Sequence, residues 1–316
     1  MKELKFENAA DSISLTRAKE IRARKLYIKN LPSHTVMIVF SLIFAFPFIW
    51  MVSTSLKSQN DIFKYPLVLF SGALHWDNYK YATTDIPFSL YARNTAFVTV
   101  MSIIGYLIGA TLTAYSVSMI EWVGKKIIFR IIMATMMIHI QVTMAPVYVI
   151  FNKTGLVGTF WPLILPTFTG SPVYIFLLRQ FFLSLPKSLP ESARIDEASE
   201  LRTFLQIVLP LCKPALITVT VVTFLYTWSD FLSSLIYLTK KESFTLTLGL
   251  KGFVTQYSVE WHKLMAAAAM LTTPVILMYF FAQRYFIYSG DNIDRHKRMI
   301  FIQKMLGIPG VECEWI

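Results

Sequence analysis

The chain has 316 residues, 55% of them hydrophobic and only 16% charged, with a mean hydropathy of +0.52 and a net charge of +11. This composition excludes an ordinary soluble domain. The apolar runs of about 20 residues fit helices crossing a hydrocarbon core of ~30 Å, not the alternating strands of a barrel.

Residues 1–34 carry Lys2, Lys5, Arg17, Lys19, Arg22, Arg24, Lys25 and Lys29. They read as a basic tail, either a solvated positive anchor or an amphipathic helix on anionic lipid. The tail is too long for the basic region of a cleaved signal peptide, so the first span is expected to be retained. Span one is predicted at 36–55 with a kink at Pro47. Span two follows at 94–119, and span three at 131–151, broken at Pro146 and containing Gln141 and Thr143. Span four, 159–182, holds Pro162, Pro166, Gly170 and Pro172, so it is expected to be broken where protein or a water-filled cavity surrounds it. Span five is placed at 214–238 and span six at 264–281. Segments 58–93 and 239–263 are external; they are the candidates for contacting a soluble partner.

Six spans put both ends of the chain on one side of the membrane. Of the 30 Lys and Arg residues, 21 fall on the side of the two tails and 9 on the other, which makes the tail side cytoplasmic. The simplest division is a tail at 1–34, a transmembrane domain at 35–287 with a cytoplasmic loop at 186–210, and a tail at 288–316. The chain is therefore expected to be an all-α polytopic membrane protein. Cys212 and Cys313 are far apart and the five histidines are scattered, so neither a disulfide framework nor a metal site is indicated. Nucleophiles, acid-base pairs and a nucleic-acid surface do not stand out either.

The charged interval inside the apolar region reads as a helix. Ser188, Leu189, Pro190 and Glu191 have the form of a capping box, with Ser188 as N-cap and Glu191 at the third helical position. Ile195, Ala198, Leu201 and Leu205 recur at spacings of three and four, predicting an apolar face. Ser199 is a candidate cap for a second turn before Pro210.

The run from Glu191 to Ser199, reading Glu-Ser-Ala-Arg-Ile-Asp-Glu-Ala-Ser and followed by Ile207-Val208-Leu209-Pro210, resembles the Glu-Ala-Ala loop of binding-protein-dependent ABC importer permeases. Other stretches resemble the second permease of the carbohydrate, maltose-type branch. These are Ser55-Leu56-Lys57 with Pro66, Asn78-Tyr79 and Asn94, then Thr227-Trp228-Ser229-Asp230-Phe231-Leu232, and finally Gln283-Arg284-Tyr285-Phe286. The likeness covers about residues 35–287. Glu197 departs from it, because the family usually has Gly there; either the helix continues through Glu197, giving a longer docking helix, or the turn is strained. The C-terminal tail is a second departure.

The resemblance implies a type I importer fold of about six spans with a cytoplasmic coupling helix docked on an ATPase. It implies a transport subunit, not an enzyme, forming half of the pathway for an oligosaccharide or a related glycoside or polyol. The chain has no Gly-x-x-x-x-Gly-Lys-Ser/Thr phosphate loop, so ATP and Mg are expected to be bound by a partner. The implied partners are a second permease subunit, an ATPase dimer, an extracytoplasmic solute-binding protein and the lipid of a bacterial cytoplasmic membrane. Glu191, Ser192, Ala193, Arg194, Asp196, Glu197 and Ala198 are the implied coupling residues, although Glu191 also suits a cap and Arg194 and Asp196 a solvated face. Trp228, Asp230, Tyr226, Gln141 and Thr143 are candidates for the pathway. For the aromatic residues packing is the competing role, and for Asp230 a helix cap or a contact with a neighbouring span. A different class remains open at this stage, an ion-coupled carrier that uses Asp230.

Overall fold

The computed structural model describes residues 32–66, 69, 72–186, 188–254 and 258–306, excluding the side chains of 189, 194 and 284–306. The tail at 1–31 and residues 307–316, Cys313 among them, lie outside the described residues.

The described chain is helical apart from one isolated bridge between Val254 and Val259. It opens with α1 (Pro32–Ser55), a span that continues through Pro47 and turns Val36, Met37, Phe40 and Phe44 outward. Short helices α2 (Gln59–Ile62) and α3 (Asp77–Thr84) form the first connecting segment. Next comes α4 (Phe88–Ser118), a 31-residue helix beginning six residues earlier than expected. It is the central column, buried along Thr95, Val98, Ser102, Gly109 and Ala114.

Span three is a bent pair, α5 (Lys125–Thr135) and α6 (Ile140–Lys153), meeting at 100°. The break is at residues 136–139, not at Pro146, which lies inside α6. Met136, Met137 and Ile138 donate to carbonyls only three residues back, tightening the last turn, and His139 is extended and ends it. Span four consists of α7 (Trp161–Ile164), a tight 3₁₀ turn Leu165–Thr169 and α8 (Pro172–Leu183). It is broken as its prolines and Gly170 predict.

After α9 (Ser188–Ile195) and α10 (Glu200–Thr203), a π-helical segment Phe204–Val208 leads to α11 (Leu209–Leu211). Leu209 donates to the Phe204 carbonyl five residues back, directly before Pro210, which has no N–H to offer. The chain bends by 78° around Cys212 into α12 (Lys213–Trp228). Span five is thus shorter than expected: α12 stops at Trp228, and α13 (Leu232–Tyr237) is a separate helix. Short α14 (Leu246–Gly249) precedes α15 (Trp261–Leu306), whose first 23 residues, Trp261–Gln283, are the last span. Among the described residues, four helical stretches, Trp161–Leu183 counted as one, are long and apolar enough to cross a membrane, and there are up to six spans if each bent pair counts as one.

Two cores hold the bundle. At the end that carries α9, Tyr115, Leu178, Phe182, Phe204 and Val208 pack together with Cys212, which is buried and unpaired. At the opposite end Ala82, Tyr91, Leu246, Phe253 and Ala266 form the second core. Between them the 3₁₀ turn of span four crosses α4 at Gly109. A Cβ there would lie 2.2 Å from the Phe168 carbonyl oxygen and 2.7 Å from the Gly170 nitrogen, so no larger residue fits without displacing backbone.

Candidate functional site

The helix-turn-helix formed by α9 and α10 is the first candidate. The helix takes Ser188 as its first residue instead of as its cap, and the Ser188 carbonyl accepts the Ser192 hydroxyl at 2.7 Å. The expected continuous apolar face is not formed. The helix closes at Ile195, and Glu197 adopts φ 55, the left-handed conformation that favours glycine. Ala198 then donates its N–H to the Ala193 carbonyl at 2.9 Å, and Asp196 donates to the Ser192 carbonyl at 3.0 Å. The bond closing six residues onto one is the Schellman pattern for ending a helix, with Glu197 at the position glycine usually fills. The longer helix through Glu197 is therefore excluded. Ile195 (82% exposed), Leu201 (61%) and Leu205 (49%) point away from the body instead of sharing a buried stripe.

Ser199 behaves as expected, its side chain accepting the Arg202 N–H at 3.3 Å and starting α10. The implied coupling residues separate into two groups. Glu191, Ser192, Asp196 and Glu197 are exposed, whereas Ala193 is buried (4% exposed) and Ala198 is half-buried. The unit is tied to the central column by the Tyr115 hydroxyl, which donates to a Glu200 carboxylate oxygen at 2.9 Å, and by the Tyr115 ring, 5.0 Å from that of Phe204.

The second candidate is a cavity of about 210 Å³ between α4, α6, the 3₁₀ turn, α12 and α13. Ser102, Tyr106, Thr143, Thr167, Tyr226 and Asp230 supply polar groups to its wall. The break in α12 delivers the last two. Asp230 follows the helix end, and its Oδ1 accepts the Ser233 N–H at 3.1 Å, capping α13. Its backbone carbonyl accepts the hydroxyls of Ser234 and Thr247. The same break opens a second concavity, to which Tyr226, Ser229 and Asp230 also contribute.

Three of the five pathway candidates, Tyr226, Asp230 and Thr143, converge on the cavity. Trp228 and Gln141 do not line it. Trp228 faces the last span, where its indole N–H donates to the Leu271 carbonyl at 3.0 Å and its ring stacks on Phe224 at 5.2 Å. Leu271 lies one turn before Pro274, where a missing proline N–H loosens the helix ladder. Gln141 is in the first turn of α6, with an exposed side chain.

Sequence reasoning missed Tyr106, Ser102 and Thr167, whose small or amphipathic side chains are indistinguishable from helix packing in a linear pattern. It also left without a role two asparagines that organise the opposite end. Asn78 donates to the Ser55 and Lys57 carbonyls at 2.8 and 2.9 Å, and Asn94 donates to those of Glu242 and Phe244 at 2.8 and 3.0 Å. Both ends of segment 239–263 are thus anchored: Asn94 holds its beginning, while Lys263 pairs with Asp85 at 2.6 Å.

The chain is similar to known proteins over most of its length. Residues 103–287 match the family model described as binding-protein-dependent transport system inner membrane component. The probable ABC transporter permease protein YurM of Bacillus subtilis is 30% identical over 265 residues, covering 84% of this chain and 88% of that protein. The arabinooligosaccharides transport system permease protein AraQ of Halalkalibacterium halodurans is 28% identical over 250 residues, 78% of this chain and 89% of its own. Among solved structures, a chain of a bacterial ABC transporter involved in the import of the acidic polysaccharide alginate superposes with a TM-score of 0.73 at 25% identity. The match covers 82% of this chain and 96% of that one.

Proposed function

The chain belongs to the binding-protein-dependent transport system inner membrane component family, and from that premise we propose that it forms half of the pathway through which an ATP-driven importer moves a carbohydrate. The cargo is an oligosaccharide or a related glycoside or polyol, handed over by a solute-binding protein. A second permease subunit completes the pathway, and an ATPase dimer binds ATP and Mg. The subunit resides in a bacterial cytoplasmic membrane, with both chain ends and the α9–α10 unit on the cytoplasmic side.

The observation that carries the reading is the construction of that unit. A free eight-residue helix is too short to hold its own shape in water. Here the Glu197 turn, the Ser199 cap and the Tyr115–Glu200 bond fix it to the bundle while Glu191, Ser192 and Asp196 stay exposed. Such a unit suits rigid docking in a groove of the ATPase. ATP-driven closure of that partner would displace α9, and α4 and α12 would carry the displacement to the cavity, opening it alternately to the two sides. The carbohydrate reading is supported by AraQ and by the hydroxyl-rich, aromatic wall of the cavity.

The test is co-purification. Glu191→Lys reverses an exposed charge without disturbing the fold, and it is expected to release the ATPase from membranes while this chain remains inserted with its partner permease. Undiminished ATPase recovery would overturn the coupling role of α9. Labelled oligosaccharide uptake in liposomes is expected to need ATP and the binding protein. Uptake by this chain alone on an ion gradient would replace the proposal with an ion-coupled carrier.

A further inference from the structure

The cavity has a charge character that its relatives' names do not state. Among its described lining residues, Asp230 bears the sole formal charge, with no Lys, Arg or His on the wall. One carboxylate oxygen of Asp230 caps α13, and the other makes no hydrogen bond to a described residue. The second concavity that Asp230 lines likewise has no basic group among its described lining residues. Tyr106, Tyr226 and Tyr237 share the cavity wall, and the faces of aromatic rings are electron-rich, attracting cations and repelling anions. Phosphate and carboxylate cargo is ordinarily held by Arg or Lys, whose fixed donors match those oxygens.

We propose that the part of the pathway supplied by this chain selects uncharged or amino-bearing carbohydrate and opposes phosphorylated or uronic acid cargo, with Asp230 as the specificity-determining residue. The inference rests on the reading of the cavity as pathway. Asp230 acts in two ways. Its free oxygen accepts sugar hydroxyls or an ammonium group, and its charge raises the local concentration of cations at the expense of anions throughout the cavity.

The test measures the field directly and needs no knowledge of the cargo. In the assembled transporter, with Cys212→Ala and Cys313→Ser removing this chain's own thiols, Thr143→Cys and Ser102→Cys each place a thiol on the wall. Each is reacted with a cationic trimethylammonium-ethyl thiosulfonate and with an anionic sulfonato-ethyl thiosulfonate, and modification is read on this chain by mass. Rates are normalised to those with 2-mercaptoethanol. The expected preference for the cation is about tenfold. It should fall to near one in Asp230→Asn, which keeps the cap on α13, and persist in Asp230→Glu.

Equal rates for the two reagents, or a preference that survives Asp230→Asn, would overturn the selectivity. Failure of both reagents at both positions, with and without ATP, would show that the cavity is closed to water. That result would remove the pathway reading itself, so the two failures are distinguishable.

Discussion

Ala198 donates its backbone N–H to the Ala193 carbonyl at 2.9 Å across a turn whose apex, Glu197, has φ 55. A side chain in that conformation costs about 1 kcal/mol relative to glycine. Glu197→Gly is therefore expected to raise the thermal midpoint of the detergent-solubilised complex by a degree or so. ATPase attachment should be unchanged, because Glu191, Ser192 and Asp196 stay exposed for docking. A lower midpoint would show that Glu197 makes a stabilising contact outweighing the strain.

Ala193 is buried, unlike the other described side chains of α9. Ala193→Leu adds volume at a buried position, and overpacking of this kind costs about 1–3 kcal/mol. The expected result is an α9 lifted from the bundle, seen as faster proteolysis within 186–210 and loss of stimulated ATP hydrolysis. Protection equal to that of the parent would contradict the packing described.

Tyr115→Phe removes one hydroxyl and keeps the ring against Phe204. A hydrogen bond to a charged acceptor contributes about 1.5–3 kcal/mol, so α10 should loosen its hold on α4. ATP hydrolysis is expected to proceed with weaker dependence on the binding protein. Full stimulation in this variant would assign the transmission to another contact.

Gly109→Ala introduces a methyl group where the carbonyl of Phe168 already lies. The crossing of α4 and the 3₁₀ turn must open, and the yield of folded protein by size-exclusion chromatography should fall sharply. Gly72→Ala, with nothing within 4 Å of the added carbon, is the control and should express normally.

Asn94→Leu takes away the two donors that hold the start of the second external segment. Leaving those carbonyls unpaired costs about 1–3 kcal/mol each. Binding-protein-stimulated ATP hydrolysis should drop while basal hydrolysis persists. Unchanged stimulation would remove segment 239–263 from the binding-protein surface.

The regularities that persist over many residues were the ones legible in advance. Apolar length located the four to six candidate spans, the proline-rich composition of 159–182 marked a broken helix, and Ser199 announced its cap. What escaped depends on contacts distant in sequence. Trp228 looks like a pathway residue until Leu271 in the last span offers its indole a carbonyl. Gln141 fails for a local reason, since a bend at residues 136–139 re-aims the first turn of α6. That bend was misplaced at Pro146 because proline is visible in a sequence, whereas tightening of the final turn to three-residue hydrogen bonds is not. At Glu197 the letters left both outcomes open. The six-to-one hydrogen bond and the following cap outweighed a cost of about 1 kcal/mol, a balance that no single residue reveals.

The last helix runs uninterrupted from Trp261 to Leu306, 46 residues or about 69 Å. Near its start Lys263 is clamped to Asp85, and one-quarter of the way along Leu271 is gripped by Trp228. Pro274 follows one turn beyond that second hold and has no N–H to return to the preceding turn, which makes this the place where the long helix yields most easily. A shift of segment 239–263 would therefore pass sideways to α12 through the Trp228–Leu271 bond, with the distal part of the last helix left beyond the hinge.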